Sequence, residues 1–249
     1  MNVRRMRVIV FASQKGGSGK TTLCGHIAVE AERTGFGPVA MIDCDPQCSL
    51  GQWARERKNE TPSFIELELA NLRDGLIQAR ADGCRLVCVD TPPLLTREIS
   101  KALSYADLVV MPTRPSPHDI RSVGVTVDLV DWHEKPMVFV INGATPRARI
   151  TSDAAVALSQ HGTVAPCFMH NRVDYAASMI DGRTVQEVNP EGASAKEIGE
   201  VWQYLSEKLM RIEDSDNGLE DPADMNRTVT NLTAMRRRSS SFGRRIVNA

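Results

Sequence analysis

The feature that most constrains this chain is the run Lys15-Gly16-Gly17-Ser18-Gly19-Lys20-Thr21-Thr22, which follows an apolar stretch at residues 7–12 and precedes a helix-length segment at 21–33. Glycines in such a loop let successive backbone N–H groups curl around phosphate oxygens, and a helix beginning at Thr21 adds the positive end of its dipole. A turn that only bent the backbone would need neither the Lys-Thr ending nor the strand before and helix after it. On this reading Lys20 pairs with the β- and γ-phosphates of a nucleotide. The Thr21 hydroxyl ligates Mg²⁺, and Thr22 donates towards the α-phosphate.

The rest of the chain fits a fold that presents such a loop. Strand-length apolar runs recur at residues 7–12, 39–42, 86–89, 108–111, 138–141 and, less regularly, 164–168. They are nearly continuous rather than alternating, as parallel strands covered on both faces are. Helix-length segments at 21–33, 64–80, 120–132 and 152–160 separate them. The alternation predicts an α/β fold: a doubly wound, mostly parallel sheet with helices on both faces. Ligands of such sheets bind at the carboxyl ends of the strands, so residues just after a strand carry the most weight.

A last helix is predicted over 194–212, with Ile198, Val201, Trp202, Leu205, Leu209 and Ile212 on one stripe. Beyond it an acidic stretch gives way to a basic, serine-bearing one. Residues 1–212 therefore read as one domain and 213–249 as a flexible tail. That tail could solubilise the chain, contact DNA or anchor weakly to a membrane through Phe242, Ile246 and Val247. Its serines and Gly243 make a poor amphipathic helix, which disfavours the anchor. The apolar run at 8–12 is too short for a signal peptide or a membrane span.

A formal net charge of −1 excludes the globally basic character of a dedicated nucleic-acid protein, so charge must be read locally. The six cysteines show no C-x-x-C spacing; Cys44/Cys48 and Cys84/Cys88 each enclose three residues, and all six read as reduced thiols of a cytoplasmic protein. The five histidines are scattered, without zinc spacing.

Two acidic stations stand at the ends of the strands that follow the loop. The first is Asp43-Cys44-Asp45-Pro46-Gln47 and the second Asp90-Thr91-Pro92-Pro93. Asp45 is assigned to positioning the attacking water, Asp43 to loop and Mg²⁺ support, and Asp90 to holding Mg²⁺. Each aspartate alone could equally cap a helix. Three phosphate-site motifs in this order argue against coincidence.

The glycine loop departs from the ordinary pattern in carrying Lys15 before Gly16-Gly17. The form K-G-G-x-G-K-T-T resembles the deviant Walker ATPases, among them ParA, MinD and the nitrogenase iron protein. The D-x-D-P-Q station is similar to that of ParA, and the stretch Pro112-Thr113-Arg114-Pro115-Ser116-Pro117-His118-Asp119 resembles the ParF-like subgroup. The resemblance covers most of residues 1–212. It implies an ATPase, weak until a partner stimulates it, that binds ATP and Mg²⁺ and closes into a homodimer in which Lys15 reaches the partner's phosphates. It implies non-specific binding to nucleoid DNA, a ParB-like or other adaptor protein, and a cytoplasmic, nucleoid-associated location. DNA-contact candidates are Arg147, Arg149, Arg172, Arg183 and Lys196, although lone surface arginines are commonly just solvated. Asn142, just past the strand at 138–141, is placed either as an adenine reader, as in several relatives, or as a capping or turn residue. A MinD-like membrane-associated positioning ATPase is the alternative. An electron-transfer ATPase is disfavoured because neither Asp90-Thr91-Pro92-Pro93 nor Met111-Pro112-Thr113 offers a cysteine to hold a cluster.

Overall fold

A computed structural model of the 249-residue chain describes residues 5–93 and 97–212. The acidic-then-basic tail, and part of the segment behind Asp90, lie outside the described residues.

The strands are β1 (Arg7–Phe11), β2 (Val39–Asp43), β3 (Ser63–Glu66), β4 (Leu86–Asp90), β5 (Leu108–Thr113), β6 (Met137–Ala144), β7 (Thr163–Val164) and β8 (Met169–His170). Seven run in the order β3-β2-β4-β1-β5-β6-β7, and β8 pairs with β6 beyond β7; every pairing is parallel. The helices are α1 (Lys20–Arg33), α2 (Ser49–Glu56), α3 (Leu72–Ala81), α4 (Arg97–Ser104), α5 (Pro117–Ser122), α6 (Gly124–Trp132), α7 (Arg149–Ser159), α8 (Val173–Met179), α9 (Val185–Val188) and α10 (Ala193–Arg211).

The continuous apolar runs have the cause expected of them. Along β1, Val8 and Val10 join one core with residues of α3, α4, α6 and α7, while Ile9 and Phe11 join a second with α1, α2 and α10. Each central strand is sealed on both faces, so no polar alternation is required of it. The apolar stripe of α10 packs against α1, and the Trp202 indole N–H donates to Thr34 Oγ1 at the end of α1 (2.8 Å). The loop's own helix is thereby clamped between sheet and last helix.

Three sequence expectations are corrected. Residues 63–66 form an edge strand on β2, and only the latter part of the helix expected at 64–80 is helical, as α3. Ile65, Leu69, Leu72 and Leu76 recur at helical spacing across the junction, which hid the change of element. The strand expected at 164–168 is instead β7 and β8 with a break between them, where Pro166 has no N–H to give the ladder. The helix expected at 120–132 begins earlier and divides into α5 and α6, with Ser116 capping α5 by accepting the Asp119 N–H and Pro117 at its first position.

The topology delivers the acidic stations where they were expected. Parallel register sets Asp90 beside Phe11 on β1 and beside Asp43 on β2, so both carboxylates emerge at the carboxyl edge next to the glycine loop.

Candidate functional site

The loop's backbone explains its composition. Gly17 and Gly19 lie at φ +71° and +101°, conformations that L side chains rarely adopt. Gly19 is doubly constrained, since a Cβ there would overlap the Asn142 amide, whose Nδ2 donates to Ser18 O (2.7 Å). Asn142, at the end of β6, thus buttresses the loop from the neighbouring strand.

Lys20 opens α1 and is buried under the loop, its Nζ donating to the carbonyls of Ser13 (3.2 Å) and Lys15 (3.4 Å). Burial lowers its pKa, against the opposing pull of Asp90 and Asp45. Lys15 is exposed at the rim, and its side chain does not line the cleft. Gly16, Gly17, Gly19, Lys20, Thr21 and Thr22 all do, with Asp45 on the facing wall.

The Thr21 hydroxyl donates to Asp90 Oδ2 at 2.6 Å. Asp90 is 1% exposed, and its Oδ1 has no partner among the described residues. Burial pushes this carboxyl up to about 7; the Thr21 hydrogen bond pulls it down and the neighbouring charge of Asp43 adds to the rise. A buried carboxylate oxygen without a donor is costly. A hydroxyl, a carboxylate and an unfilled oxygen beside a phosphate cradle are a donor set that suits Mg²⁺. Asp43 is arranged otherwise. Its Oδ1 accepts the Asp45 N–H (2.9 Å) and its Oδ2 the Gly51 N–H (3.0 Å), so both oxygens hold backbone N–H groups of the following turn and of α2. Asp45 is half-buried and organises its own turn by accepting the Gln47 N–H (3.0 Å).

From this end the cleft, about 560 Å³, runs past Asn142 and Gly143 to residues 169–172 and 175–176 on β8 and α8. Sequence reasoning missed this far wall. Its organiser is Glu197 of α10, which accepts the His170 backbone N–H (3.0 Å), His170 Nδ1 (2.8 Å) and Arg172 Nε and Nη2 (2.9 and 2.7 Å), with Tyr175 Oη at 2.7 Å. Burial pushes the Glu197 carboxyl up, yet the hydrogen bonds from Arg172, His170 and Tyr175 outweigh it and the net shift is downward. The available signal was an acidic residue directly beside Ile198 on the apolar stripe of α10.

The five DNA-contact candidates are placed differently from one another. Arg172 lies in the cleft wall, bound to Glu197. Arg183 pairs with Asp181 two residues away, Arg149 lies 3.7 Å from Asp153, and Lys196 lies 3.7 Å from Glu191. Arg147 is exposed in the loop before α7 at φ +60°. Among the described residues the cysteines are free thiols, four of them buried, and no cluster of metal-ligating residues of the histidine, cysteine and carboxylate type is found. No helix among them is long and apolar enough to cross a membrane.

A parallel doubly wound sheet, a left-handed glycine cradle at a helix N-terminus and a hydrogen bond from Thr21 in the first turn of that helix to Asp90 at the end of β4 define a phosphate-binding-loop nucleotide protein. The chain belongs to the CobQ/CobB/MinD/ParA nucleotide binding domain family, which it matches over residues 9–236. It is similar to Protein ParA of Rhizobium radiobacter, 34% identical over 132 residues that make up 52% of this chain and 59% of that protein. It is also similar to maintenance of carboxysome distribution protein A of Halothiobacillus neapolitanus, 26% identical over 81% of this chain and 95% of that one. Among solved structures, the septum site-determining protein MinD of Pyrococcus horikoshii complexed with Mg-ADP shares the fold: TM-score 0.69, 14% identity, covering 84% of this chain and 98% of that one.

Proposed function

We propose that this chain is an ATP-hydrolysing positioning switch of the ParA type. It binds ATP with Mg²⁺, closes into a homodimer, holds nucleoid DNA without sequence preference, and is released when an adaptor protein stimulates hydrolysis. The observation that carries this reading is the convergence of Lys20, Thr21, Asp90 and Asp45 on one glycine cradle. Thr21 and Asp90 would hold Mg²⁺, which when bound offsets phosphate charge. Lys20 neutralises the phosphate chain, the loop N–H groups orient it, and Asp45, which lines the same cleft, is assigned to holding the attacking water.

The relatives' names, ParA and carboxysome distribution protein, favour partition of DNA or placement of a large cargo. The MinD-like membrane alternative is disfavoured, because the relatives matched in sequence are ParA and carboxysome distribution proteins, whereas MinD of Pyrococcus horikoshii is 14% identical. Lys15 fits the deviant-loop role: exposed at the rim, its long stem and compact charge can reach a nucleotide in a facing copy. An ATP-driven dimer requires contacts that ATP makes and ADP does not, and Lys15 to a γ-phosphate is such a contact.

Lys15→Ala should abolish ATP-dependent dimerisation in sedimentation and partner-stimulated phosphate release, while nucleotide binding by the monomer persists. Asp45→Ala should keep the ATP dimer and stop turnover. Unchanged sedimentation and turnover of Lys15→Ala would remove the switch from this reading.

A further inference from the structure

The far half of the cleft is built around one carboxylate that belongs to none of the loop motifs. With the phosphates of a ligand fixed at the glycine loop, the rest of a nucleotide has the stretch past Asn142 to Arg172 and Tyr175 to occupy. Glu197 is largely buried (8% exposed), beside the core residues Ile198 and Val201 of α10, and its two oxygens take up donors from His170, Arg172 and Tyr175. The pairing with Arg172 is side-on through Nε and Nη2; among the described residues Nη1 makes no hydrogen bond, and Arg172 lines the cleft. A guanidinium held this way can stack on a base or donate to a ribose, and it loses little freedom on doing so. The Nδ1 contact likewise sets which His170 nitrogen, Nε2, is left over.

We propose that Glu197 is a positioning residue for the nucleoside end of the ligand, holding Arg172 and His170 as a preformed wall against which base and ribose are seated. The proposal rests on the nucleotide reading of the cleft. It assigns Arg172 to the ligand rather than to DNA.

The test uses the full chain and two ligands, Mg-ADP and Mg-pyrophosphate, the second engaging the loop without reaching the far wall. In calorimetric titrations Glu197→Gln should weaken Mg-ADP about tenfold, as loss of charge-assisted hydrogen bonds does, and leave Mg-pyrophosphate within about twofold. Arg172→Ala, a partly exposed site that spares the core, should show the same split, and the double variant should lose no more than either single one. Equal weakening of both ligands, or unchanged Mg-ADP binding by both variants, overturns the proposal and leaves the nucleotide site standing. A wild-type chain that binds pyrophosphate but gains nothing from the nucleoside overturns it as well. Binding of neither ligand by the wild type removes the nucleotide reading itself.

Discussion

The two ends of the cleft are made by different means. The phosphate end is local: eight consecutive residues, two left-handed glycines and the first turn of α1 supply nearly every donor. The opposite end is assembled from β6, β8, α8 and α10, and one acidic side chain organises it. Backbone N–H groups pointing at an anion need a particular chain path, which only particular residues permit. A wall of side chains needs only that the right groups meet, and many sequences can arrange that.

This contrast can be broken or sharpened by substitution, beginning with the largest effect. Gly19→Ala should lower nucleotide affinity roughly a hundredfold, from the strain of a Cβ at φ +101° and its overlap with Asn142. Retained binding by this variant in an equilibrium titration would mean that the loop's path is not what makes the phosphate site.

Asp90→Asn should act in two directions. The folded-state carboxyl has its pKa raised to about 7, so it favours the folded state while protonated, and that benefit is lost as pH rises from the ordinary aspartate range through about 7. The ligand-free variant should therefore melt a few degrees above wild type at pH 8, with the difference closing towards pH 4. The same variant should lose the Mg²⁺-dependent part of nucleotide binding. Melting curves across this pH range check the first effect, and titrations with and without Mg²⁺ the second.

Asn142→Ala should have the smallest effect, because it removes one hydrogen bond to Ser18 O at the joint between the two ends. A loss of about 1 kcal/mol, near fivefold in affinity for both Mg-ADP and Mg-pyrophosphate, is expected. A loss confined to Mg-ADP would assign Asn142 to the adenine instead.

The same contrast explains what could be read from the sequence. Lys20, Thr21, Asp43 and Asp90 were legible because motif and strand end fall together, and parallel register does the rest. The sheet was legible because each central strand, sealed on both faces, is a run of apolar residues. The edge at Ser63–Glu66 was not, since a half-exposed strand four residues long leaves no such run. The wall of Glu197, Arg172 and His170 was not legible either. Glu197 lies more than twenty residues beyond its partners, and nothing in their spacing announces that β8 and α10 meet. Arg172 consequently stood among the DNA-contact candidates.

The position of β1 has a kinetic meaning. It lies between β4 and β5, whose residues follow it by some eighty and a hundred positions, and Asp90 comes within reach of Thr21 only through that pairing. Closing loops of this length early in folding is entropically slow. The cradle's own peptide is contiguous, yet its acidic partner arrives only when the middle of the sheet has formed. Nucleotide therefore selects the assembled sheet, and each bound ligand adds its mass-action term to the folded state alone.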